Sequence, residues 1–248
     1  MRSVRGVGAV LLLSLSSAAV AQEGGDLQAQ ILYAYQSEDL GELGNLVQRL
    51  GNQVKAGGAD AALHYHLAHA DYRFGLLAEL KRRKAAAPAF SDCIDQLKPV
   101  IDQDAKSAEA LALQSACYGE FAKERHLEAV LLRSHAQERL KSAFELAPRN
   151  PRVLYLVAMD EFARSKPNSP ENQRAFATLQ QAAQLFEQSS ATRTDVPGWG
   201  HAEAYLALGM QLAARGDLLG ARNWIEKSLI VAPDYKAAQR QLAALVKR

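Results

Sequence analysis

Three histidines, His64, His66 and His69, crowd into the segment LHYHLAHADY and form the densest set of potential metal ligands in the chain. On a helix, residues three apart are neighbours, whereas residues two apart diverge by roughly 200°. Only His66 and His69 can therefore share an ion, and two imidazoles with no placed carboxylate or cysteine make a weak zinc site. A metal or small-ligand binder using the His-rich helix 64–72 is the secondary reading, and no cofactor or metal is expected. The sequence contains no HExxH, G-x-S-x-G, C-x-x-C or glycine-rich phosphate loop. Asp92, Asp95, Asp102 and Asp104 have no recognisable catalytic partner, and Lys81 to Lys84 reads as a solvated basic face. These residues point away from an enzyme.

The first 21 residues carry Arg2 and Arg5, an apolar run from Val7 to Leu15, and small residues ending Ala19-Val20-Ala21. That is the layout of a cleavable secretory signal with cleavage after Ala21, so the expected location is periplasmic or secreted. The apolar run is too short for a good transmembrane span, which needs about 18 or more such residues, and no second candidate follows. No Cys follows the cleavage site and the arginines are not adjacent, so neither a lipoprotein anchor nor a twin-Arg route is indicated. Removing two arginines and no acids brings the formal charge from +2 to about 0, which argues against nucleic acid as a partner. An oxidising compartment would permit Cys93 and Cys117 to pair.

The elements that carry these residues repeat. Ala202 to Tyr235 reads AEAYLALGMQLAARGDLLGARNWIEKSLIVAPDY. Counting Ala202 as position 1, Tyr205, Leu208, Gly209 and Leu212 fall at 4, 7, 8 and 11, and Ala221, Ile225, Ser228 and Pro233 at 20, 24, 27 and 32. The first four make one helical face and the next three the facing stripe of a second helix. Gly216 suits the turn between them, and Pro233 stops continuation. This unit resembles a tetratricopeptide repeat (TPR) over its whole length.

Three looser copies precede it, starting at Ala61, Ala105 and Pro151. Each carries extra residues between its helices, about ten, twelve and five respectively, and the inserts (Leu76 to Lys84, Lys123 to Arg133) are helix-like. Gly75, Gly119 and Gly216 share one repeat position, and two of the joins keep register. The reading is all-α: a capping helical hairpin at 22–58, then a repeat array over 59–248 (61–104, 105–150, 151–190 and 202–235) with a C-terminal helix. Ser165 to Glu171 and Ser189 to Gly200 read as loops.

The resemblance implies a right-handed superhelix of antiparallel hairpins whose inner face is lined by positions 2, 5, 6, 9, 12 and 13 of each first helix. Here those positions include Tyr65, His66, His69, Tyr72 and Arg73, then Arg152, Tyr155, Met159 and Phe162, then Met210. Aromatic residues and Met on an inner curve suit an apolar or extended peptide, with the two arginines available for an acidic group. The same residues could instead pack under neighbouring helices. The Lys and Asn pattern by which chaperone-binding members clamp a C-terminal carboxylate is not reproduced. His64 takes the position that such repeats use for packing. Cys93 and Cys117 flank the junction near Gln103 and Asp104 at almost equal distances, so two antiparallel helices joined there would bring them to one height, the geometric prerequisite for a disulfide. The expected function is an exported scaffold that binds an unidentified protein or peptide segment in a concave groove.

Overall fold

The computed structural model describes residues 26–81, 84–192 and 198–246, and within these it has eleven helices and no strand. The expected signal segment and cleavage site lie outside the described residues. α1 spans 26–36. It is followed by α2 (Leu40–Lys55), α3 (Ala61–Leu80), α4 (Ala86–Gln103), α5 (Ala108–Glu124), α6 (Ala129–Leu146), α7 (Pro151–Arg164), α8 (Pro170–Thr192), α9 (His201–Ala214), α10 (Leu218–Val231) and α11 (Lys236–Val246). The all-α, TPR-like expectation holds.

Short polar caps set several helix starts. The carboxylates of Asp39, Asp60 and Asp217 accept the N–H of Glu42, Leu63 and Gly220 at 2.9, 2.8 and 2.8 Å. Asn150 does the same for Arg152 at 2.9 Å, with Pro151 as the first residue of α7. Each cap satisfies a donor the helix cannot.

The helices pack as consecutive hairpins, α3 with α4, α5 with α6, α7 with α8 and α9 with α10, and α5 lies against α7 as well. Phe90, Ile94 and Leu97 of α4 face α3 across Ala68 and Tyr72. Gly75 and Gly119 are not turn residues, unlike Gly216, whose φ is +85°. The inserted residues carry α3 and α5 past those glycines before the chain reverses. At Gly75 the ring of Phe90 occupies the space a Cβ would need, 2.5 Å away. Ser189 to Thr192, expected as loop, continue α8.

α1 does more than pair with α2. Its Ile31 and Ala34 join Leu43, Leu46 and Leu50 of α2 and Leu67 and Leu77 of α3 in one core. Leu32 turns the other way, into a cluster with Leu111, Val153, Leu156 and Trp199. Tyr35 reaches the far end of the array, with its ring centroid 6.2 Å from that of Tyr235. Glu38 pairs there with Arg240 at 2.5 Å. The first helix thus crosses the inner side of the array and joins its two ends.

Candidate functional site

The inner face is occupied by the protein's own chain. Trp199, just before α9, is 1% exposed and lies against α3, α5 and α7. Its indole Nε1–H donates to Tyr65 Oη at 3.1 Å, and its ring lies 5.4 Å from that of His69. The guanidinium of Arg152 sits 5.4 Å from the indole centroid, and its Nε–H donates to the Trp199 carbonyl at 3.2 Å. Glu109 of α5 fixes that arginine through a 2.7 Å ion pair and also accepts from Asn150 Nδ2 at 2.8 Å. Three first helices thus converge on one aromatic side chain and its carbonyl.

Deeper in, Arg73 pairs with Glu203 of α9 at 2.9 Å, both almost fully buried. Its Nε–H donates to His69 Nε2 at 3.0 Å, and the guanidinium lies 4.5 Å from the Tyr35 ring centroid. The second Glu203 oxygen accepts from the Gly200 N–H at 3.0 Å, capping α9. Burial opposes the charge on Arg73, but Glu203 and then Tyr35 outweigh it, and its pKa stays above the ordinary value. Burial, followed by the Arg73 charge, pushes His69 well below the ordinary histidine range. A neutral His69 is what the geometry requires, because its Nε2 accepts a hydrogen bond. Burial likewise raises the phenols of Tyr65, Tyr72 and Tyr155, so all three stay neutral donors.

Of the sequence-predicted inner-face residues, Tyr65, His69, Tyr72, Arg73, Arg152 and Tyr155 come together around α1 and Trp199. His66 meets the set through an edge-on contact with Tyr65, 6.2 Å between centroids. Phe162 packs with Ala158 and Leu179 in the next cluster. Met159 and Met210 remain 36% and 45% exposed. His64 faces α4, its Nδ1 2.8 Å from Gln96 Oε1. Among the described residues no group of three or more His, Cys, Asp and Glu is arranged to hold a metal ion. The Nε2 lone pair of His69, which a shared ion would need, is taken by Arg73.

Four central residues were not anticipated: Trp199, Glu203, Glu109 and Tyr35. Glu109 and Glu203 occupy inner-face positions 5 and 2 of the second and last repeats, so the repeat frame itself held that signal. For Trp199 the only clue was a large aromatic residue between two glycines in a segment read as loop. Cys93 of α4 and Cys117 of α5 are both fully buried and sit sulfur to sulfur, with Cα atoms 6.3 Å apart. No described helix is long and apolar enough to cross a membrane.

No family model and no curated protein matches the sequence. Solved structures do match the fold. TTC0263, a thermophilic TPR protein of Thermus thermophilus, superimposes with a TM-score of 0.63 at 18% identity, covering 92% of this chain and 99% of its own. MamA gives 0.41 at 20% identity over 73% of this chain and 81% of that one. At such identities only the first carries weight, and it speaks to architecture. The chain therefore has the helical-repeat fold of a TPR protein, with its inner face filled by its own first helix and by Trp199.

Proposed function

We propose that this chain is an exported interaction scaffold, which holds an extended segment of another protein on the inner face of its stacked first helices. One observation above all supports the reading. That face already holds a turn of the protein's own chain just before α9, recognised through an indole and a main-chain carbonyl. A surface that grips a side chain and a main chain in these two ways is chemically suited to grip another segment. The expected groove residues extend the same surface beyond Trp199, where Met159 and Met210 stay open to a partner and Phe162 is half-buried. Adaptable thioethers beside aromatic rings suit an apolar segment. The scaffold acts without catalysis or cofactor. A Cys93–Cys117 bridge between the first two repeats suits an oxidising compartment.

The test is affinity capture from the native envelope, using the chain from residue 22 as bait. Capture should fall when Met159→Glu or Met210→Glu is introduced, with circular dichroism unchanged. Capture that survives both substitutions would move the binding surface elsewhere.

A further inference from the structure

Building on the scaffold reading, we propose that the turn Gly198–Gly200 is a built-in ligand of the inner face, and that the face selects partner segments carrying a glycine-flanked tryptophan. The flanking glycines are dictated by the site. A Cβ at position 198 would lie 1.9 Å from the Arg152 guanidinium, and one at position 200 would lie 2.8 Å from the Phe186 ring. Gly200 also adopts φ +98°, which residues with a side chain rarely take. The tryptophan is specified by a donor to Tyr65, by the His69 ring and by the Arg152 cation.

The segment is built to be displaced. The contact to the Trp199 carbonyl comes from the rim: Arg152 and the Glu109 that holds it are 23% and 29% exposed, so a competitor can reach them from solvent. Gly198 and Gly200 give the chain on either side of Trp199 the backbone freedom to swing the indole out while α9 stays folded. A tethered ligand acts at an effective concentration on the order of millimolar or above, so an outside segment sees only the fraction of molecules in which the site is open. The occupied face is thereby closed to casual apolar peptides and open to a segment that matches the motif.

The probe is an unlabelled peptide with the sequence of residues 195–206, DVPGWGHAEAYL. The chain has two tryptophans, so Trp224→Phe leaves Trp199 as the sole indole. Labelled with 5-fluorotryptophan, that protein gives one fluorine resonance. Added peptide should move the resonance towards the position of a solvated indole, and a peptide with alanine in place of its tryptophan should not. The variant Trp199→Ala should bind the same peptide about tenfold or more tightly than the parent, because its site is empty. A helical Trp199→Ala protein that binds no peptide would overturn the proposal. Should that variant fail to fold, an unmoved fluorine signal at millimolar peptide overturns it instead. Either failure leaves envelope capture through Met159 and Met210 intact, so the broader scaffold reading stands or falls separately.

Discussion

A guanidinium with 2% exposure persists inside this protein because each direction around it is used. Glu203 neutralises Arg73, His69 accepts from it and Tyr35 offers its ring face. Deleting one member of such a pair strands the other, which costs about 3–5 kcal/mol. Arg73→Met is accordingly expected to lower stability by that amount in urea unfolding, and adding Glu203→Leu should recover much of it. Two neighbouring titratable groups set opposite pH limits. Burial, and then Asp92, raise Asp71 to about 8. Its native form binds the proton more tightly than the unfolded chain does, so its contribution is complete below about pH 4 and is lost as pH rises through about 8. The stability difference between Asp71→Asn and the parent should therefore grow by more than about 1 kcal/mol between pH 4 and pH 8 and then level off. A constant difference across that window would remove Asp71 from the account. His69 has the reverse sign: its pKa is depressed, so its contribution is present above about 6.5 and is lost as pH falls.

At the scale of elements, the lengthened first helices change what the recurrent glycines do. Gly75 lies inside α3 because five further residues continue the helix to Leu80, and its missing side chain admits Phe90 of α4. Gly75→Ala should overpack that contact and destabilise by about 1–3 kcal/mol, measured by thermal melting. A neutral effect would mean that the ring yields freely. The α4–α5 joint carries the two cysteines at bridging distance. Alkylation without reductant, followed by mass measurement, should find no free thiol. Cys93→Ala with Cys117→Ala should lower stability by about 3 kcal/mol in the chain-entropy model for a loop of this length. The hairpin order was legible because helical periodicity and the Gly and Pro signals that end helices are local. The end of α8 was not, since Ser189 to Thr192 are turn formers that the preceding helix simply carries along.

Across the whole molecule, α1 decides the shape. By reaching both α3 and α11 it turns an open array into a closed one, with Tyr35 touching the Tyr235 end and Leu32 backing Trp199. Tyr35→Ala removes an aromatic side chain of the kind that costs about 3–5 kcal/mol when excised from a core. Hydrogen exchange should then speed up in α11 and around Trp199 while α5 and α6 keep their protection. Uniform acceleration would indicate global unfolding rather than an opened seam.

The sequence by itself determined the helical-repeat architecture and the order of its hairpins, because both depend on spacing within some thirty to forty residues. Tertiary structure alone decided what fills that face. Trp199 meets Tyr65 across 134 positions of sequence, and Arg73 finds Glu203 from a similar remove. A repeat pattern says which way a side chain points, and only closure of the array determines what it meets there. Here α1 and a glycine-flanked tryptophan arrive first.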